Sequence, residues 1–381
     1  MRIWLAGFAL LLAGCATVPV TRDAAAGRLL HDHLFAAPAQ RVGPDLVFAR
    51  SDSMRHYLGV EIADLIESRG RQRALYEALY SKKQLKIEYD AAMTRNAAEA
   101  FDARSGNCLS LVIMTAALAK ELGLEVHFQR VFTDEAWTRT DGLVFASGHV
   151  NVTLGRRGND PRVLRATERQ VMTIDFMPVG EFQVQHAYNV SEETVIAMYM
   201  NNRAAEHLAA GRIDDAYWWA KGAIEQDPQF YSSYNTLGII YRHHGDSREA
   251  EEVLRYVLAR EPNNAHVMSN LALVLQQLGR VDESQDLMRR VAEVQPFPPF
   301  YFFDRGMAAM RQKDYAAARD LFQKELARDP YNHEVHFALA AAYFGLGDLG
   351  NTRASLTRAI ENSTTRKDHD IYSAKLARIK Q

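Results

Sequence analysis

Cysteine is nearly absent: the 381 residues hold only Cys15 and Cys108, which excludes a disulfide-built scaffold. A surplus of one charge is absent as well. The 45 lysines and arginines meet 47 acidic residues, and a net charge of −2 argues against a nucleic-acid partner, which normally needs a basic surface. Beyond the N-terminal residues, no apolar run is long enough to span a bilayer. Clustered metal ligands are missing too. His31-Asp32-His33 has no further ligand near it in sequence and reads as a solvated helix end. No metal and no organic cofactor is implied. With 48% apolar and 24% charged residues, long disorder is not expected, and the length calls for two domains.

The first residues are different in kind. Arg2 precedes a short apolar stretch, Ile3 to Ala13, too short for a membrane helix but suited to an export signal. It closes on Leu12-Ala13-Gly14-Cys15, which resembles the bacterial lipobox. The resemblance implies cleavage before Cys15, lipidation of that residue and, with Ala16 following, an outer-membrane lipoprotein facing the periplasm. Contact with the membrane would then run through the lipid anchor only. Cys108 is left alone in an oxidising compartment, either buried and inert or kept for its reactivity.

Three signals organise the rest. Residues 41–190 mix helix and strand patterns. Met54 to Glu67, Gln72 to Tyr80 and Ala91 to Arg104 are expected as helices, and Cys108 to Leu122, apolar almost all round, as a buried central helix. Glu125–Val131, Gly148–Leu154 and Val171–Met177 are expected as strands, and Gly155–Arg165 as a hairpin insertion. A buried helix followed by antiparallel strands makes an α+β domain. From residue 195 to 381 the pattern is helical and periodic: Pro228, Pro262, Pro296 and Pro330 lie 34 residues apart. Leu237-Gly238, Tyr241, Ala250 and Pro262, echoed by Gly306, Ala318 and Phe322, resemble the packing positions of the tetratricopeptide (TPR) repeat. The resemblance implies an all-α TPR solenoid of about five helix pairs with a capping helix, after a signal peptide (1–14) and a lipidated tether (15–40). Phe300, Phe303, Met307 and Met310 crowd one repeat boundary. They either pack between repeats or line a groove for a protein partner.

The candidate chemistry centres on Cys108, placed directly after Ser105-Gly106-Asn107 at a helix start, where unpaired N–H groups and the helix dipole favour negative charge. A thiolate nucleophile needs a base, and the base an orienting acceptor. Arg104-Ser105-Gly106-Asn107-Cys108-Leu109-Ser110-Leu111, Gly148-His149-Val150-Asn151-Val152 and Ile174-Asp175-Phe176-Met177-Pro178 resemble, in that order, the cysteine, histidine and aspartate motifs of the transglutaminase-like superfamily. The resemblance implies a papain-like domain with Cys108 as nucleophile, His149 as base and Asp175 as orienter. It would act on amide bonds of a peptide or protein, as a protease or amidase or by transamidation. Asp160, in a Gly-Asn-Asp-Pro turn, is the weaker rival for the third position. The competing expectation is a non-catalytic scaffold in which the repeats carry the function.

Overall fold

The computed structural model describes residues 24–80, 85, 87–91, 93–140, 143–155, 171–176 and 186–379. Cys15, Asp160 and nearly all of the expected 155–165 insertion lie outside the described residues.

The mixed part opens with four short helices, α1 (Ala24–Arg28), α2 (Asp52–His56), α3 (Ala63–Arg69) and α4 (Arg71–Tyr80). The single helix expected over Met54 to Glu67 is broken by a π turn at Tyr57–Glu61, which carries Gly59. Next come strand β1 (Glu88–Tyr89), helix α5 (Ala97–Ala103) and strand β2 (Ser105–Gly106), and β1 pairs with β2 in parallel. Helix α5 starts six residues later than expected at Ala91. Asn96 and Glu99 form a capping box there, each side chain taking the other's backbone N–H, which fixes the helix start.

Helix α6 (Cys108–Glu121) is the buried centre expected from its composition: Leu109 through Ala119 are all buried. Gly123, at φ +69°, turns the chain out of it. Four antiparallel strands follow, β3 (Val126–Thr140), β4 (Leu143–Leu154), β5 (Met172–Ile174) and β6 (His186–Val190), in the order β5-β4-β3-β6. The β3–β4 hairpin runs well past the expected strand limits. Both faces of β4 are covered from His149 to Leu154. Val150, Val152 and Leu154 are buried, and so are the alternating polar residues His149, Asn151 and Thr153.

The C-terminal part is five antiparallel helix pairs and a final helix. The pairs are α7 (Glu192–Ala209) with α8 (Ile213–Gln226), α9 (Tyr231–His244) with α10 (Ser247–Leu258), α11 (Ala265–Gln277) with α12 (Val281–Val294), α13 (Tyr301–Arg311) with α14 (Tyr315–Leu326), and α15 (His333–Gly345) with α16 (Leu349–Glu361). Helix α17 (Arg366–Ile379) caps them. The 34-residue period has a packing cause. Ala204, Gly238, Ala272, Gly306 and Ala340 recur at one buried position of the first helix. Ala216, Ala250, Ser284, Ala318 and Thr352 recur, equally buried, on the second. A Cβ built on Gly238 or Gly306 would stand 2.7 Å or 2.5 Å from the buried side chains of Leu254 and Phe322. Small residues are therefore what lets the helices approach.

The two parts share one core. The largest apolar cluster runs unbroken from Ala26 through α6 to Leu275. Residues 29–39, expected as part of a tether, are held against the repeats: Phe35 stacks on Tyr217 at 4.0 Å, and Tyr241 Oη donates to Leu29 O at 2.8 Å. Trp218 Nε1 donates to Ala36 O at 2.6 Å. Both ends of the array also hold the stretch before α5. Ala91 N–H donates to Thr364 O at 2.9 Å, and Thr94 N–H to Glu206 Oε1 at 2.6 Å.

The turn inside each pair contains one left-handed residue at the same register: Gly211, Gly245, Gly279, Lys313 and Gly347. Lys313, at φ +62°, is the one of these five turn residues that carries a side chain in that region. Lys313→Gly is therefore expected to raise the stability of the array by about 0.5–1 kcal/mol, the relief of strain less the added freedom of the unfolded chain. Lys313→Ala, which keeps a Cβ, should leave it unchanged, as read from chemical-denaturation midpoints.

Candidate functional site

The loop before α6 is built for a close approach. Arg104 adopts a left-handed conformation at φ 51° to end α5, and β1 then holds Ser105 and Gly106 in place. A Cβ on Gly106 would stand 2.6 Å from Ser110 Cβ, so only glycine lets the loop lie on the first turn of α6. Asn107 is the N-cap. Its Oδ1 accepts from Ser110 N–H at 2.9 Å and from Ser110 Oγ at 2.7 Å. Its amide nitrogen donates to Thr94 Oγ1 at 2.9 Å. Thr94 in turn receives Asn202 and Arg203 of α7. The helix start that presents Cys108 is thus tied, through one threonine, to the first repeat.

Cys108 is the first residue of α6, a free cysteine and partly accessible. The thiol faces the His149 imidazole. On β4, His149 is buried at 5% exposure, and its Nε2 lies 2.8 Å from Asp175 Oδ1, just past the end of β5. That contact is short but lies off the N–H direction of a linear hydrogen bond, so its strength is that of an ion pair. The β4–β5 register, with Val152 opposite Ile174 and Thr153 opposite Thr173, brings the two together. Asp175, 43% exposed on its side chain, opens the arrangement to solvent.

Two residues that the motif left unnamed complete it. Tyr80, at the end of α4, holds Asp175 by its backbone: its hydroxyl donates to Asp175 O at 2.6 Å and accepts from Asp175 N–H at 3.2 Å. Tyr89, on β1, places its hydroxyl against the backbone N–H of Cys108. Neither carries a local signal, since nothing in the neighbouring sequence says that these side chains meet residues 95 and 19 positions away.

The other singled-out residues are placed differently. Phe300 is buried at 4% exposure as the residue preceding α13, while Phe303 and Met310 pack against the cluster of Phe322 and Leu339. Met307 is the exposed member of the four, at 37%. Packing between repeats thus describes three of them, because the small residue Gly306 draws α13 onto α14 and pulls its aromatic neighbours inward. Asp32 bonds Tyr217 at 2.6 Å and pairs with Lys221, and no group of metal-ligating side chains occurs among the described residues. Open recesses of about 450 and 300 Å³ lie at the C-terminal end of α6 and beside Trp218, away from Cys108.

Comparison with known proteins bears on the helix pairs. Family models described as tetratricopeptide repeat match residues 219–252, 270–333 and 303–366. The chain is 31% identical over 145 residues to the cellulose synthase operon protein C of Pseudomonas fluorescens, covering 35% of this chain and 11% of that protein. It is 24% identical over 122 residues to the type IV pilus assembly protein PilF of Pseudomonas aeruginosa, covering 32% of this chain and 48% of that one. The chain thus spans half or less of the length of these relatives. Among solved structures, a thermophilic TPR protein of Thermus thermophilus shares 20% identity at a TM-score of 0.30, over 48% of this chain and 99% of that one. Together with the 34-residue register, the family matches make the C-terminal part a TPR solenoid, an architecture whose concave surfaces bind other proteins.

Burial pulls the His149 pKa down, but the Asp175 carboxylate paired with the ring and the Cys108 thiol beside it raise it from an ordinary 6.5 to about 9. The folded-state value stands above the unfolded one. The charged ring therefore stabilises the fold fully below pH 6.5, and that contribution is lost as pH rises through about 9. The ring resonances of His149 are expected to titrate near 9 by NMR, and near or below 6.5 once Asp175→Asn and Cys108→Ala are combined. A wild-type midpoint below 6.5 would mean that the three groups do not act on one another.

Proposed function

We propose that the chain is a cell-envelope lipoprotein whose α+β part is a transglutaminase-like cysteine acyltransferase acting on peptide or protein amide bonds. The TPR array, on this reading, brings the substrate or a partner protein to it. The observation that carries the proposal is a single imidazole, His149, facing the thiol of Cys108 and paired with the carboxylate of Asp175. The thiol stands at the N-terminus of a fourteen-residue helix.

Each part has a physical role. The helix dipole and the His149 imidazolium favour the thiolate of Cys108, the nucleophilic form. Attack on an amide carbonyl gives a tetrahedral species, and the proton held by His149 goes to the leaving nitrogen. Asp175 holds the imidazolium in orientation, and Tyr80 holds Asp175. The acyl group is left on sulfur as a thioester. Water resolves it in a protease or amidase, and an amine in a transamidase. The repeats support substrate delivery because both ends of the array grip the stretch, Ala91 and Thr94, that leads from β1 to α5. A protein held by the array is thereby held close to Cys108.

Reaction with iodoacetamide at neutral pH tests the site. Cys108 in the folded chain is expected to alkylate faster than an unstructured thiol, His149→Ala to slow it strongly, and Asp175→Asn to slow it less. An inert core thiol would instead resist until the chain unfolds and ignore both substitutions, leaving a repeat scaffold as the function.

The anchor has its own test, motivated by Leu12-Ala13-Gly14-Cys15. Cys15→Ser is expected to leave an unprocessed precursor that no longer fractionates with outer membranes. Recovery of processed, membrane-bound Cys15→Ser protein would refute the lipid anchor.

A further inference from the structure

The β1–β2 bridge sets a side chain against the reacting atoms. Tyr89 is paired with Gly106, and bonds on either side lock that alignment: Glu88 N–H to Arg104 O at 2.9 Å, and Asp90 N–H to Gly106 O at 3.0 Å. From this position the Tyr89 hydroxyl faces the backbone N–H and the sulfur of Cys108. As the first residue of α6, Cys108 has no partner for that N–H within the helix, and the cap Asn107 serves Ser110 instead. The site where an acyl oxygen would collect charge, beside the N–H of the nucleophile, therefore already holds a phenolic oxygen.

A hydroxyl that accepts one hydrogen bond still has its own proton to donate. Burial pushes the Tyr89 pKa well above its ordinary value, so that proton stays on oxygen through the neutral range.

We infer that the Tyr89 hydroxyl donates the hydrogen bond that stabilises the acyl oxygen during transfer to Cys108. The inference rests on the acyl-transfer reading above. In the step, a sulfur lone pair forms the C–S bond and the carbonyl π pair moves onto oxygen, where Tyr89 O–H meets the new charge. When that pair returns, the C–N bond breaks and the nitrogen leaves with the proton from His149. Tyr89 keeps its own proton throughout. It is a catalytic residue in this scheme, placed between the Cys108 N–H and the acyl oxygen.

Two reagents separate this role from a structural one, both applied to the full chain. p-Nitrophenyl acetate acetylates a thiol through an oxyanion, and its leaving phenolate needs no proton from His149. Iodoacetamide alkylates at a saturated carbon and builds no oxyanion. Tyr89→Phe, which keeps the ring, is expected to slow acetylation of Cys108 on the order of 100-fold. Its alkylation should change by less than about threefold, since the thiolate and its base remain assembled. Acetylation that is unchanged or faster in Tyr89→Phe would overturn the inference, the faster rate marking Tyr89 as a plug over the Cys108 N–H. A parallel loss of both rates would overturn it too, reducing Tyr89 to a prop for the loop. A wild-type chain alkylated quickly but never acetylated at Cys108 would sink the acyl-transfer reading and this inference with it.

Discussion

The first turn of α6 is where the structure is decided. An α-helix that begins inside a protein leaves its leading N–H groups without partners, and they must be satisfied or put to use. Here Asn107 satisfies Ser110, and the Tyr89 hydroxyl meets Cys108. The same Asn107 reaches Thr94, which binds Asn202, Arg203 and Glu206 of the first repeat. One cap thus presents the thiol, closes the loop before it and joins the mixed part to the array. Gly106 makes the closure sterically allowed, because any Cβ there would collide with Ser110.

Much of this was legible from the residues. Prolines at 34-residue intervals, with small residues in register, mark helix pairs because close helix contact tolerates little else at those positions. A helix apolar on every side could only be a buried centre, as α6 is. The Cys108, His149 and Asp175 motifs identified three side chains that the fold does bring together. What stayed hidden depends on contacts remote in sequence. Tyr80 meets Asp175 across 95 residues, and residues 29–39 lie on helices some 180 to 210 residues away. The choice between packing and a groove for Phe300, Phe303, Met307 and Met310 stayed open for a related reason. Composition shows a crowd of rings, but the close approach at Gly306 and the backbone turn at Phe300, at φ 63°, set which rings go inward.

The shared core bears on how the two parts work. Because one apolar cluster runs from Ala26 to Leu275, the first helix pairs are as much a wall of the mixed part as the start of the array. Only the later pairs form separate clusters. Strain introduced when a partner binds the later repeats therefore has a packed route to Thr94 and Asn107, since packed interiors transmit displacement rather than absorb it. On the proposed function, recruitment and reactivity are linked by ordinary packing and by the bonds at Thr94.

The central claim is that Cys108 forms a covalent acyl intermediate with the help of His149. Intact-mass spectrometry after brief exposure of the full chain to an activated acetyl ester tests it directly. The account expects one acetyl group, mapped to Cys108, formed quickly in the wild type and lost on standing as water resolves the thioester. It should be absent in Cys108→Ala and strongly reduced in His149→Ala. Acetyl groups scattered over lysines, at the same level in all three proteins, would contradict it.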